Sequence, residues 1–313
     1  MEKAPLYNDL AEGPTGGNAW WLTTGDGVRI RVGYWPEGEN GTVLMFPGRT
    51  EYVEKYGRTA GYLAQRGYGM LAVDWRGQGL ADRLADDPML GHVGKFKDYQ
   101  LDVASVIDLA GSLNLPRPWY LLAHSMGGCI GLRALQQGLP VEAVAFSAPM
   151  WGIGVSSAMR PVAWSVSYLS RLSGMDKSYV PSTGASSYVL SNPFEGNSLT
   201  GDPEVFEYMQ RQVKEIAEFG LGGPSLRWLH EALLETRKLR QMPAPAIPAV
   251  TFLGECEEIV DLRPIHDVMN KWASGKLIVV DNARHEFPME QPHIRKAFLD
   301  AVHMLYSGRA GDT

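Results

Sequence analysis

A serine whose proton is taken by a histidine, itself oriented by a carboxylate, can attack a carbonyl carbon and carry the acyl group covalently. Residues 119–130 read Trp-Tyr-Leu-Leu-Ala-His-Ser-Met-Gly-Gly-Cys-Ile. An apolar strand pattern runs straight into Ser125, and a helix pattern begins directly after it. That junction makes a strained turn which lifts the serine oxygen above the end of a sheet, and it crowds the positions two before and two after the serine. Ala123 and Gly127 are small enough, and Gly128 allows close helix packing. The string is A-x-S-x-G rather than the usual G-x-S-x-G. As a bare string it is weak evidence; at a strand-to-helix junction it is specific.

The base should come late in the chain, on a loop at the carboxyl edge of the sheet, with the acid between serine and histidine. Of seven histidines, His266, His293 and His303 fall in helical patterns, where a surface position is the simpler reading. His92 comes too early, His230 lies in an irregular middle block, and His124 is expected to turn away from Ser125. His285 follows the strand pattern Lys276–Val280 after a short loop and is the candidate base. The loop after the apolar run Ala249–Leu253 offers Glu255, Glu257, Glu258 and Asp261. Glu257 is the first choice for the acid and Asp261 the second.

The oxyanion formed on attack needs two backbone N–H donors. Met126, just after the serine, supplies one. Arg49, in the turn Pro47–Glu51 after the apolar run Thr42–Phe46, supplies the other. The Arg49 side chain has two readings, contact with an anionic headgroup or an ion pair with a nearby carboxylate.

These residues need a sheet to position them. Val28–Trp35 alternates as a half-buried strand at an antiparallel edge does, whereas Thr42–Phe46, Gly69–Val73, Trp119–Ala123 and Val141–Phe146 are apolar runs suited to inner strands. Helical periodicity separates them, over Tyr56–Ala64, Phe96–Ala110 and Met126–Gln137. Strand–helix alternation implies right-handed crossovers and a mostly parallel sheet flanked by helices. The rhythm stops after Pro149 and resumes at Ala249–Leu253, followed by a helix over Ile265–Trp272, a strand over Lys276–Val280 and a closing helix over Ile294–Tyr306. The expected organisation is a core of residues 1–149 and 241–313 with a helical cap at 150–240.

The 313 residues are 45% apolar and 20% charged, enough for a large core, and the net charge of −6 argues against a nucleic-acid partner. Cys129 and Cys256 make no disulfide framework or zinc spacing, and each is read as a small buried hydrophobe. No phosphate loop or ligand cluster is present, so neither metal nor cofactor is expected. The amino-terminal residues lack a signal-peptide core, and no apolar window reaches the ~20 residues of a membrane span. A cytoplasmic protein is expected, with at most a peripheral contact at the inner membrane.

Longer motifs carry a family resemblance. They are Phe-Pro-Gly-Arg-Thr-Glu (46–51), Asp-Trp-Arg-Gly-Gln-Gly (74–79), Arg-Leu-Ala-Asp-Asp-Pro-Met-Leu-Gly-His-Val (83–93), Ala-His-Ser-Met-Gly-Gly (123–128), Ser-Ala-Pro-Met-Trp-Gly-Ile (147–153) and Gly-Gly-Pro-Ser-Leu-Arg-Trp-Leu (222–229). In this order they resemble the lysophospholipase L2 and monoacylglycerol-lipase-like group of α/β hydrolases, of the S33 serine aminopeptidase type. The resemblance implies an α/β-hydrolase fold with a helical cap and acyl-ester cleavage of single-chain lipids without a cofactor. It maps the triad onto Ser125, Glu257 and His285, and the oxyanion hole onto Arg49 and Met126. Pro47 stands where many relatives have histidine, and Glu257 where most have aspartate; lysophospholipase-like members share both.

Trp151, Ile153, Met159, Trp164 and Trp228 lie in greasy stretches of the middle block and are expected to contact an acyl chain, the plainer alternative being a small core of the cap itself. A lysophospholipid is the favoured substrate. The rival readings are a monoacylglycerol lipase or general carboxylesterase, a peptidase or thioesterase, and a catalytically silent binding fold.

Overall fold

The computed structural model describes residues 1–36, 38–156 and 158–308. Its centre is one nine-stranded sheet of β1 (Glu2–Ala4), β2 (Asn18–Thr23), β3 (Arg29–Trp35), β4 (Thr42–Phe46), β5 (Gly69–Asp74), β6 (Trp119–His124), β7 (Val144–Ser147), β8 (Ala249–Gly254) and β9 (Gly275–Val280). The spatial order is β1-β2-β3-β5-β4-β6-β7-β8-β9. Strands β5 through β9 in that order are parallel, and β1, β2 and β3 add antiparallel pairings. The runs read as inner strands are buried along their whole length in β4, β5, β6 and β8.

Alternate residues of these strands feed two apolar cores, one on each face. Leu44, Phe46, Leu121 and Ala123 pack with α3 (Tyr99–Ser112) and α4 (Met126–Gln136). Val43, Met45, Tyr120 and Leu122 pack with α2 (Gly57–Ala64) and α10 (Pro292–Tyr306). A short α1 (Asn8–Ala11) precedes β2, and α9 (Leu262–Met269) joins β8 to β9. Each large apolar side chain buried in this way contributes on the order of 1.5–3 kcal/mol, which is why the parallel centre is so apolar.

Between β7 and β8 the chain makes α5 (Arg160–Leu172), α6 (Tyr188–Ser191), α7 (Pro203–Glu215) and α8 (Leu226–Leu239), and among the described residues no strand of the sheet. Among the described residues no helix is long and apolar enough to cross a membrane.

Four expectations need correction. The strand read as a half-buried edge is inner, with β2 on one side and β5 on the other, and its Arg31 is fully buried. Two carboxylates make that burial possible: Asp74 accepts from Nε at 2.8 Å, and Glu54 accepts from both terminal nitrogens at 2.7 and 2.5 Å. The edge is instead β1, with β2 between it and β3, and the sequence reading missed both. The strand expected from Val141 begins at Val144, and the helix expected over Ile265–Trp272 begins at Leu262, because Asp261 caps it by accepting from the Arg263 amide at 3.2 Å. Cys129 is buried as expected, but Cys256 is exposed in the loop after β8.

Candidate active site

Strand β6 ends at His124 and α4 starts at Met126, so Ser125 alone makes the turn, with φ 49° and ψ −116°. A non-glycine residue in this region is strained, and the surroundings over-determine it. Its amide donates to the Ser147 carbonyl at 3.0 Å, while its own carbonyl accepts from Gly128 at 2.9 Å and Met150 at 2.8 Å. A Cβ on Gly127 would overlap the Phe46 carbonyl oxygen, and one on Gly128 would lie 2.6 Å from the Pro149 Cβ. The small residues of the motif therefore let α4 sit directly on the end of β4, beside the turn Pro47–Glu51. Neither the Arg49 nor the Met126 amide has an acceptor among the described residues.

Two side chains from the Asp74–Gly79 loop hold that turn. Trp75 Nε1 donates to the Pro47 carbonyl at 2.9 Å, and Gln78 Nε2 donates to the carbonyls of Gly48 and Glu51 at 2.8 and 2.9 Å. The motif was visible in the sequence, but its bracing task was not.

His285 and Glu257 meet, both buried, with Nδ1 2.7 Å from Oε2. The other oxygen of Glu257 accepts from the amides of Ile259 at 2.6 Å and Val260 at 3.1 Å. Burial alone would raise this carboxyl; the imidazole and the two amides outweigh it and hold it below the ordinary range. The competing carboxylates are engaged elsewhere. Glu255 accepts from the Asn282 amide at 3.3 Å, Glu258 from the Ser198 hydroxyl at 3.1 Å, and Asp261 caps α9 while pairing with Arg160 at 2.6 Å. Close approach of the two loops requires Gly254, since a Cβ there would meet the Ala283 carbonyl oxygen. The inserted segment steadies both loops: Ile153 bridges Val260, and the Leu199 carbonyl accepts from the Glu286 amide at 2.9 Å.

His124 does not simply turn aside. Its Nδ1 lies 3.0 Å from the carbonyl and hydroxyl oxygens of Ser147, and its ring packs 4.7 Å from that of His285. Burial pushes it down to about 3, so it stays neutral beside the candidate base. Signals for it were present, because the residue before the serine ends a buried strand, but residue type alone does not separate a packed imidazole from a solvated one.

Arg49 makes no ion pair among the described residues, contrary to one of its two readings. Its guanidinium donates to the Gly222 carbonyl at 2.9 Å and lies 5.7 Å from the Trp228 ring centre, and burial lowers it to about 10. The five residues expected on an acyl chain do not share one surface. Trp151, Ile153 and Trp164 line a cavity of about 300 Å³ together with Arg160, Arg240 and Asp261. Trp228 is buried against Phe96, and Met159 is 53% exposed. Trp151 is held in the sheet core by Phe146 and Trp272, and donates to the Gly128 carbonyl at 3.1 Å.

A family model described as serine aminopeptidase, S33, matches residues 38–292. The chain is 32% identical to lysophospholipase L2 of Escherichia coli (strain K12) over 277 residues, 83% of this chain and 78% of that protein. It is 29% identical to a probable lysophospholipase L2 of Haemophilus influenzae, covering 83% of this chain and 82% of that one. Among solved structures it resembles a soluble variant of monoglyceride lipase from Saccharomyces cerevisiae in complex with a substrate analogue. The TM-score is 0.74 at 18% identity, over 95% of this chain and 97% of the other.

Proposed function

Because the chain belongs to the serine aminopeptidase S33 family of α/β hydrolases, we propose that it cleaves the acyl ester of a single-chain lipid, a lysophospholipid first of all, through an acyl-enzyme on Ser125. The observation that carries the reading is the buried His285–Glu257 pair on loops at the same sheet edge as the strained Ser125 turn. His285 Nε2 takes the Ser125 hydroxyl proton as Oγ bonds to the carbonyl carbon. The amides of Arg49 and Met126 hold the oxyanion. The carbon–oxygen bond to the glycerol then breaks, the leaving oxygen takes the proton from His285, and water repeats the cycle to free the fatty acid. Glu257 fixes the imidazole tautomer and steadies its charged form. No metal or cofactor enters these steps.

Residues 150–240 are read as a cap over a core of 1–149 and 241–313. The lysophospholipase L2 relatives favour a phosphate-bearing headgroup, and the Arg49 guanidinium, with no carboxylate partner among the described residues, is a suitable contact for it. Helix α5 presents Val162, Val166, Leu169 and Leu172 to solvent. Residues 151–175 hold Arg160 and Arg171 but no acidic residue, in a chain of net charge −6. That face suits a peripheral contact with an anionic bilayer from which substrate is drawn.

Acyl release from lysophosphatidylcholine, monoacylglycerol, p-nitrophenyl butyrate and an aminoacyl anilide, for wild type beside Ser125→Ala, tests the assignment. Serine-dependent release chiefly from the lysophospholipid is expected. Release confined to the short ester would reject the lipid substrate, and cleavage confined to the anilide would make the chain a peptidase.

A further inference from the structure

Behind the candidate base lies a group of ionisable side chains that the proton transfers above do not use. Glu51, Lys55, His124 and Glu286 are all at least nine-tenths buried. Lys55 Nζ lies 2.7 Å from Glu51 Oε1 and 2.8 Å from Glu286 Oε1. Glu51 also accepts from the Tyr56 hydroxyl at 2.5 Å and from the Gly48 amide, and its Oε1 is 3.7 Å from His124 Nε2. The ligand atoms of Glu51, His124 and Glu286 converge as they would around a metal ion. The cation that their charge calls for is already in place, because the Lys55 ammonium bridges the two carboxylates.

The cluster touches three segments that the chemistry needs. Gly48 lies in the oxyanion turn, His124 precedes Ser125, and Glu286 follows His285. Glu51 and Glu286 are 235 positions apart, and the Lys55 side chain bonds to both. Two carboxylates buried together repel each other and would compete for one proton. The ammonium between them holds Glu51 below the usual carboxylate range, so that it keeps accepting from the Gly48 amide; burial and the nearby Glu51 raise Glu286, whose bond to Lys55 keeps the histidine loop drawn toward the oxyanion turn.

We propose that Lys55 is a positioning residue which, by bridging Glu51 and Glu286, locks the oxyanion turn to the loop that carries His285. The proposal rests on the Ser125–His285–Glu257 reading. Lys55 touches no substrate in this account; it acts through the two carboxylates and the loops they hold. Among the described residues His285 meets Glu257 at Nδ1 and His124 against its ring, and Glu286 follows it in the chain, with Lys55 and Glu51 behind.

The test uses the full chain and a soluble ester, with thermal unfolding run on every variant. Lys55→Met fills the same space without charge and should lower kcat about 100-fold, the scale of a small misplacement of catalytic groups, with KM little changed. Lys55→Met combined with Glu286→Gln removes the carboxylate clash and should recover about tenfold of that loss. Glu286→Gln alone keeps Lys55 balanced by Glu51, so it remains informative should Lys55→Met not fold. It should lower kcat by about tenfold with KM little changed, because the Lys55 ammonium holds an amide less firmly than a carboxylate. Lys55→Met within threefold of wild type, a double variant no better than the single one, or a wild-type kcat in Glu286→Gln would each overturn the proposal. Ser125→Ala is measured alongside: activity surviving there overturns the triad reading and this proposal together, whereas its loss beside an indifferent Lys55→Met overturns the positioning role alone.

Discussion

Glu257 and Asp261 stand four residues apart in one loop, and their surroundings separate what their chemical type does not. Glu257 gives one oxygen to His285 and the other to two backbone amides, while Asp261 is occupied by the start of α9 and by Arg160. Glu257→Gln should therefore lower kcat by about 10⁴-fold, the scale seen when the orienting carboxylate of such a triad becomes an amide. Asp261→Asn keeps a good helix cap and loses a partly exposed ion pair worth roughly 0–1 kcal/mol. Its activity should stay near wild type, and steady-state kinetics of the two variants checks both. Ser125, His285 and this pair of acids were legible as candidates because each follows a strand pattern in the sequence. Lys55, Glu286 and His124 were not, since a charged or imidazole side chain in a sequence reads as solvated until its partners, hundreds of residues away, are known.

At the scale of elements, the geometry of the candidate site follows from how closely α4 approaches β4. Gly127 has no room for a side chain against the Phe46 carbonyl oxygen, and Phe46 also pairs with Ala123 across β4 and β6. Gly127→Ala must push the helix and the turn Pro47–Glu51 apart. It should destabilise the protein by about 3 kcal/mol, at the upper end of overpacking costs, and abolish most activity. Thermal unfolding with parallel ester hydrolysis measures this, and a Gly127→Ala protein of wild-type stability and rate would mean that the contact is not limiting. The inner strands were plain in the sequence because burial on both faces leaves continuous apolar runs. Strand β3 was misplaced for the opposite reason: its arginines imitate a solvent-facing alternation, although Arg31 is neutralised inside by Asp74 and Glu54. The short β1 carries no such run; β2 has one in Ala19–Leu22, only partly buried beside the edge, and both were missed.

For the molecule as a whole, the exposed apolar face of α5 and the acid-free stretch around it set one side apart from an otherwise acidic chain. Leu169 and Leu172 are 58% and 70% exposed. Replacing both with serine should weaken binding to vesicles containing phosphatidylglycerol by about 100-fold or more, given roughly 1.5–3 kcal/mol for each leucine taken from water into lipid. Sedimentation with such vesicles reads the effect, and equal binding by wild type and variant would remove α5 from the contact. The insertion of helices between β7 and β8 was legible from the break in strand rhythm, and so was its apolar character. Which of its apolar residues face outward was not, because a greasy helix gives the same letters whether it covers a core or a bilayer.

The most direct test of the central claim is to quench the reaction with a lysophospholipid during its first turnovers and weigh the intact protein. The account predicts a mass increase equal to the acyl group, located by digestion on the peptide containing Ser125 and absent from Ser125→Ala. Fatty acid released with no acyl adduct at any quench time, or an adduct on another residue, would contradict it.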